Sequence, residues 1–292
     1  MKHVPVTEES VREFVARSDE IRDVSQSDWH EFINSHLFTY EPTTAAAPQS
    51  DEYLMYQFDL WKLVSGRLSY TPEECEQNDY VPEAANIRAS YPFSSNSSTE
   101  VGNYFLAIAN IFRHLELPPG ASVVEFGVGY GHLTRMLANF GYKVTAVDIE
   151  LRFLDLLGKL ALPGSSDIRG INGSFSETQF EPETIDAFVF FECFHHCIDH
   201  ALLLRKLRDA LKIGGKILFA AEPFYDDWFP FPWGLRLDGH AVWAIRNFGW
   251  MELGFRKSYI TNLLEDSGFT LEWSSIREIG AYGEMTVATR TA

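Results

Sequence analysis

The class of fold is indicated by one short segment, VVEFGVGYGHL at Val123–Leu133. An apolar run ends at Glu125-Phe126, and glycines then alternate at positions 127, 129 and 131 before a helical pattern begins. Glycine lets the chain turn tightly and lets the backbone approach a ligand, because it has no Cβ. The helix that follows offers free N–H groups to an anion such as a carboxylate. The segment therefore predicts a strand-turn-helix unit that binds a small ligand.

A second polar feature follows about 20 residues later, where the next predicted strand ends in Asp148. A carboxylate at this place can accept both hydroxyls of a ribose. The glycine spacing is G-x-G-x-G, whereas dinucleotide-binding folds use G-x-G-x-x-G, and the sequence has no phosphate-loop motif. We therefore predict a site for an adenosine-containing ligand, with an NAD-dependent oxidoreductase as the rival interpretation.

Short apolar segments alternate with helical patterns from position 121 onward, which is typical of a parallel sheet with crossover helices. The last two β-rich segments are separated only by Gly280–Glu284, which indicates an antiparallel hairpin. We predict a three-layer α/β sandwich with a mostly parallel, seven-stranded sheet. The predicted strands are Ser122–Phe126, Lys143–Val147, Asp167–Ile171, Ala187–Phe191, Lys216–Ala221, Leu271–Ile279 and Met285–Thr289.

From about Glu100 to the C-terminus the sequence resembles the class I S-adenosylmethionine (SAM)-dependent methyltransferases. The motifs that carry the resemblance are EFGVGYG, TAVDI, IDAFVFFECFHHCID, LRDALKIGGKILFAAEP and SYITNLLEDSGF, in the family's order. The resemblance implies the family's Rossmann-like fold, SAM as the cofactor and S-adenosylhomocysteine (SAH) as the product. The cofactor-binding residues that it implies are Glu125, Phe126, Gly127, Gly129, Gly131, Asp148, Ile149, Ser174, Phe175 and Glu192.

One stretch departs from the family pattern. Many members carry an Asp after the third strand that meets the adenine amine, whereas this sequence has Asn172-Gly173-Ser174-Phe175. Ser174 can accept a hydrogen bond and Phe175 can stack on a purine, so these two residues are the predicted adenine contacts.

The catalytic candidates follow the fourth and fifth strands, at the sheet edge where open α/β folds bind ligands. His196 is the predicted general base, because imidazole titrates near neutral pH. His195 is predicted to contact the acceptor. The alternative is that one or both histidines cap the turn or line the pocket. Glu222 is the second catalytic candidate, with an N-cap or a surface acid as the alternative. We expect no metal, since the cluster His195, His196, Asp199 and His200 has no evident distant partner ligand.

A long aromatic-rich connection, Phe224–Phe255, follows the fifth strand, and connections of this length are often binding loops or lids. Trp233, Arg236 and His240 are the predicted acceptor contacts. The competing interpretation is a subdomain whose aromatic residues pack on the N-terminal region. We predict a helical cap at residues 1–98 and a methyltransferase domain at 99–292, with the 224–255 insertion forming part of the acceptor site.

The chain has 41 acidic and 24 basic residues, a net charge of −17, which opposes nucleic-acid binding. The N-terminus lacks a signal peptide and no apolar run could span a bilayer, so we expect a cytoplasmic protein without membrane contact. The predicted function is SAM-dependent O-methylation of a small molecule, a sugar or secondary metabolite. A SAM-binding protein that transfers no methyl group is the alternative.

Overall fold

The chain folds into two compact units in a computed structural model. The described residues are 1–40, 46–77, 90–160 and 168–291. The first unit comprises Met1–Gln77 and Phe224–Tyr259, and the second comprises Asn78–Pro223 and Ile260–Ala292. The predicted strands and the glycine segment all belong to the second unit.

The N-terminal part of the first unit contains helices and one pair of short strands. Its elements are β1 (Lys2–Pro5), α1 (Glu8–Arg22), α2 (Gln26–Asn34), β2 (His36–Thr39), α3 (Asp51–Ser65) and α4 (Pro72–Cys75). The side chains of Thr7, Ser25 and Ser50 accept backbone N–H bonds at the starts of α1, α2 and α3, which satisfies donors left over at helix N-termini. Helix α2 therefore begins directly after Ser25. The parallel pair β1–β2 was not predicted.

The second unit holds the alternating strands and helices. The elements before position 221 are α5 (Ser98–Leu115), β3 (Ser122–Phe126), α6 (His132–Phe140), β4 (Lys143–Asp148), α7 (Leu151–Leu160), β5 (Ile168–Asn172), β6 (Ile185–Phe191), α8 (His200–Ala210) and β7 (Leu211–Ala220). The remaining elements of the chain are β8 (Phe224–Tyr225), β9 (Trp233–Leu235), α9 (Gly239–Phe248), β10 (Leu253–Arg256), α10 (Lys257–Asp266), β11 (Phe269–Ser275) and β12 (Glu284–Arg290).

The main sheet has seven strands in the order β11-β12-β7-β6-β3-β4-β5. All neighbours are parallel except β12, which runs antiparallel to both β7 and β11. The predicted mostly parallel sheet with a terminal hairpin is confirmed. Phe126 pairs with Val147 on one side and with Phe190 on the other, so the carboxyl ends of β3, β4 and β6 meet at one edge. Ligands of open α/β sheets bind at this edge.

The first unit has its own small sheet, in the order β8-β10-β9. Aromatic residues of the 224–259 segment pack on the N-terminal helices: the Trp243 indole donates to Asp19 at 2.8 Å and lies edge-on to Trp29. The Trp61 indole of α3 donates to the carbonyl of Gly249. The aromatic side chains of the insertion are thus largely engaged in the interior of this unit.

Candidate active site

The three glycines after β3 serve different purposes. A Cβ on Gly127 would lie 2.6 Å from the Cβ of Cys193, so packing requires this glycine. Gly131 has a φ of +69°, in the left-handed region that favours glycine, and a Cβ there would also displace the end of the Leu157 side chain. Gly129 has a φ of +49°, and among the described residues no atom lies within 4 Å of the place where its Cβ would be. Its backbone therefore faces open space, where a ligand can approach closely.

Glu125 lies in β3 one residue before the strand ends, and only 3% of the residue is exposed. Burial, with a smaller effect of the nearby Asp148 charge, raises the pKa of this carboxyl to about 8. The Thr134 side chain offsets part of this rise, whereas the Oε2 atom has no partner within hydrogen-bond distance among the described residues. A buried acceptor without a partner is costly, so this position suits a ligand that brings a donor, above all a cation such as an ammonium group.

Asp148 ends β4, the strand beside β3, and is 6% exposed. Its carboxylate accepts the N–H of Glu150 at 2.8 Å and the N–H of Gly129 at 3.2 Å. Burial raises the pKa of Asp148 to about 6, and these backbone donors limit the rise. A carboxylate has about four acceptor sites, so acceptor capacity remains beyond its backbone donors Glu150, Gly129 and Val128 for a ribose hydroxyl.

Asn172 holds the backbone at the end of β4, a role that sequence reasoning missed. Its side-chain amide donates to the carbonyls of Asp148 at 3.0 Å and of Ile149 at 2.8 Å. Asn172 ends β5, the neighbour of β4, and so ties the two strand ends together. The sequence indicated this role only through position, because Asn172 lies two residues before Ser174 in the stretch that departs from the family pattern.

The aromatic residues predicted at the cofactor site belong in part to the core of the second unit. Phe126 is fully buried and stacks on Phe190 at 4.8 Å, and Phe175 meets Phe126 edge-on at 5.3 Å. Ser174 is buried just beyond β5, with Phe175 half-buried beside it. Phe126 therefore contributes its packing and its backbone to the site, whereas Ser174 and Phe175 lie where the β5 end meets the glycine loop.

The turn after β6 is built around the carboxylate of Glu222. Oε1 accepts the N–H groups of Cys193 and Phe194, both at 2.8 Å, and Oε2 accepts the N–H of His195 at 3.1 Å and its Nδ1 at 2.8 Å. Burial opposes ionisation, but His195 and the backbone donors hold the pKa of Glu222 below its ordinary value. The four bonds use the acceptor capacity of the carboxylate. Glu222 thus positions the turn, which is a different task from the proton transfer predicted for it.

The other residues of this turn occupy distinct places. Glu192 is exposed, has a φ of +54° and donates its N–H to the carbonyl of Ala220. His196 is half-buried, with its ring centroid 4.3 Å from that of His195. The thiol of Cys193, which sequence reasoning did not connect with the site, donates to the carbonyl of Phe126 at 3.0 Å. The turn and the glycine loop are thereby joined directly.

The predicted acceptor contacts of the insertion lie in the first unit. Trp233 is 3% exposed, its indole donates to the carbonyl of Pro48, and its own carbonyl accepts the hydroxyl of Tyr53, so it belongs to the packed interior. Arg236 and His240 line a cavity of about 640 Å³ within this unit. The guanidinium of Arg236 forms an ion pair with Asp238 at 3.0 Å and a longer one with Glu252 at 3.4 Å.

In a comparison with known proteins, the model of a family described as a methyltransferase domain matches residues 124–219. An uncharacterised methyltransferase of Geobacillus sp. (strain WCH70) is 29% identical over 133 residues, which cover 44% of this chain and 59% of that protein. Ribosomal RNA small subunit methyltransferase A of Myxococcus xanthus (strain DK1622) is 35% identical over 94 residues, 32% of this chain and 31% of that protein. The chain thus spans only part of the length of these relatives.

Among solved structures, the chain is similar to the 1,6-didemethyltoxoflavin-N1-methyltransferase of Burkholderia thailandensis, which was determined with 1,6-didemethyltoxoflavin and SAH bound. The TM-score is 0.51 at 18% sequence identity, and the match covers 86% of this chain and 94% of the other. At this level of identity the similarity supports the fold.

Proposed function

We propose that this chain, which belongs to the class I SAM-dependent methyltransferases, transfers the methyl group of SAM to a small-molecule acceptor. One observation carries the proposal. The buried carboxyl groups of Glu125 and Asp148 lie at the ends of neighbouring strands, and Asp148 accepts the N–H of Gly129, whose backbone faces open space. The cofactor of this family combines an ammonium group, a carboxylate and a ribose in one molecule, and the residues present fit those groups.

Each of these residues has a defined task toward the cofactor. Glu125 would accept the ammonium group at its buried Oε2, and Asp148 would accept the ribose hydroxyls. Gly129 would let the backbone lie against the ligand. When bound, the sulfonium of SAM supplies a methyl group that is already electrophilic. The protein then contributes alignment and exclusion of water, together with a base where the acceptor must lose a proton.

A small-molecule acceptor is supported by charge and by shape. A net charge of −17 opposes the approach of a polyanion, and a cavity of about 640 Å³ has the size of typical small-molecule sites. Arg236 and His240, which line this cavity, remain the proposed acceptor contacts. Within the described ranges of the chain, no helix is both long and apolar enough to cross a membrane. O-methylation is the proposed reaction, and RNA, the substrate in the name of the Myxococcus relative, is the competing acceptor.

The cofactor assignment is tested by titrating SAM and SAH into site variants by calorimetry. Gly129→Val should abolish measurable binding, because its side chain fills the space left for the ligand. Asp148→Ala should weaken binding by about 5–150-fold, the value of a lost buried acceptor. Gly214→Val, also at positive φ but at the start of β7, and the exposed Asp155→Ala are the matched controls.

Both control variants should bind as the unchanged protein does. Unchanged SAM affinity in folded Gly129→Val and Asp148→Ala would contradict the proposed site. Formation of SAH from SAM on addition of a small-molecule extract then tests the transfer itself.

A further inference from the structure

The cavity of the first unit contains a histidine whose tautomer is set by the backbone. His36 begins β2 and lines this cavity of about 640 Å³. Its Nδ1 atom lies 2.8 Å from the carbonyl oxygen of Phe32, and a carbonyl can only accept, so Nδ1 carries the proton. The hydroxyl of Ser35 donates to the same carbonyl at 2.7 Å and therefore does not supply that proton. In the neutral ring the lone pair lies on Nε2.

Nε2 of His36 is an acceptor that a ligand in the cavity can use. It has no hydrogen-bond partner among the described residues, and these residues do not enclose the atom completely. Phe14 and Phe32 pack against the ring, with centroid distances of 5.0 and 4.6 Å, and His36 is 8% exposed. The lining of the cavity thus offers a fixed acceptor to a molecule that brings a donor.

The charged residues at this cavity disfavour an anionic ligand. Of the described residues that line it, Arg236 is the one arginine or lysine, and its guanidinium is already paired with Asp238 at 3.0 Å and with Glu252 at 3.4 Å. Burial lowers the pKa of His240, which also lines the cavity, so its ring is neutral at neutral pH. An anion would enter without an unpaired guanidinium or ammonium group, and burying an uncompensated charge is costly.

Aromatic side chains provide a surface for a planar ligand. Trp228 lines the cavity and is 69% exposed, with its ring centroid 4.8 Å from that of Tyr225. Phe38 and Phe229 are buried members of the same lining. An aromatic ligand that packs on such rings gains more than the area that it removes from water, because aromatic pairs attract each other in offset and edge-on arrangements.

We infer that this cavity binds a neutral aromatic compound with a free hydroxyl group, a phenol, whose hydroxyl donates to Nε2 of His36. The inference deepens the proposed function, on which the role of this ligand as acceptor rests, by naming its chemical class. The hydroxyl supplies the donor that Nε2 lacks, and the ring packs on Trp228. His36 is thereby a specificity residue, because a site built to bond a hydroxyl rejects the analogue that lacks it.

Calorimetry with three matched naphthalene compounds tests this class on the full chain without cofactor. We expect 2-naphthol to bind, and 2-methoxynaphthalene, which has no donor, to bind about 5–150-fold more weakly. 2-Naphthoate, which carries a carboxylate instead, should bind at least about tenfold more weakly than 2-naphthol. Absence of 2-naphthol binding, equal affinity for 2-naphthol and its methyl ether, or tighter binding of 2-naphthoate would each overturn the inference.

His36→Asn tests the acceptor atom. The shorter amide can still donate to the carbonyl of Phe32, but it has no group at the position of Nε2. The variant should lose most of the preference for 2-naphthol over 2-methoxynaphthalene, a ratio that a purely structural change would not alter. His114→Asn is the matched control, because Nδ1 of His114 likewise lies 2.9 Å from a carbonyl four residues earlier, in the second unit. Full preference in folded His36→Asn would refute the role of His36.

Trp228→Ala provides a test that does not depend on the folding of His36→Asn, since an exposed side chain contributes little to stability. It should weaken the binding of 2-naphthol and of its methyl ether alike, by about 2–12-fold, and leave their ratio unchanged. Unchanged affinity for both would contradict the inferred packing on Trp228. These titrations need no cofactor, so their result stands apart from SAM binding. Failure of the chain to bind SAM or SAH would instead contradict the proposed function.

Discussion

Replacing Glu125 by Gln should stabilise the cofactor-free protein and at the same time weaken its binding of SAM and SAH. The change keeps the shape of the side chain and removes its ability to ionise. In the native protein, burial raises the pKa of this carboxyl from 4.5 to about 8. Because the native pKa lies above the unfolded one, the native state holds the proton more tightly. The stability that this proton provides is complete below about pH 4.5 and is lost as the pH rises toward 8.

The size of the effect follows from the difference between the two pKa values. One pKa unit corresponds to about 1.4 kcal/mol, so ionising Glu125 in the native protein costs on the order of 5 kcal/mol. Relaxation around the charge makes this an upper limit. At about 2–4 °C per kcal/mol for a domain of this size, Glu125→Gln should gain up to about 10–20 °C in Tm over the unchanged protein between pH 5 and pH 9.

Scanning fluorimetry of the cofactor-free proteins across this pH range provides the assay. Glu265→Gln, at an exposed position, is the control for removing one charge.

The order of the two proteins should be reversed in SAH titrations, where Glu125→Gln should bind more weakly than the unchanged protein. Loss of a charged hydrogen bond of about 1.5–3 kcal/mol predicts binding roughly 10–150-fold weaker in Glu125→Gln. As Glu125 gives up its proton, SAH binding to the unchanged protein should strengthen at least about tenfold from pH 6 to pH 7. In the variant only the smaller dependence that Asp148 contributes, roughly twofold for a pKa of about 6, should remain. A Tm difference that does not change with pH would refute the reasoning.

Two further predictions concern the first unit and the choice of partner. Trp233→Ala should lower the free energy of unfolding by about 3–5 kcal/mol, because it removes a buried indole that donates to the carbonyl of Pro48. The measurement is the midpoint of denaturant unfolding, which should fall in a variant that keeps the cavity residues Arg236 and His240. A normal midpoint would mean that Trp233 is not part of the core. Binding to structured RNA should be undetectable at physiological salt, given the net charge of −17, and a salt-sensitive gel shift at micromolar protein would contradict the small-molecule proposal.

Local patterns predicted the main sheet well. The first strand was predicted at Ser122–Phe126, the residues that it occupies, and the second differs only by the addition of Asp148. Buried parallel strands are continuous apolar runs, and glycine marks the turn that follows, so both signals lie within a few residues. The first strand of the hairpin was predicted to end at Ile279 but ends at Ser275, because residues 277–283 form 3₁₀ turns.

What the amino-acid sequence determined by itself was the backbone plan of the second unit and the types of residue at its carboxyl edge, including Glu125 and Asp148. Only the tertiary structure decided the role of each side chain. It brings Glu222 within hydrogen-bond distance of His195, 27 positions earlier in the chain, and it buries Trp233 in a packed interior. A pattern of polarity specifies which face of an element is buried. The partner that satisfies a buried polar group depends on which strand ends become neighbours, and that is established only when the chain has folded.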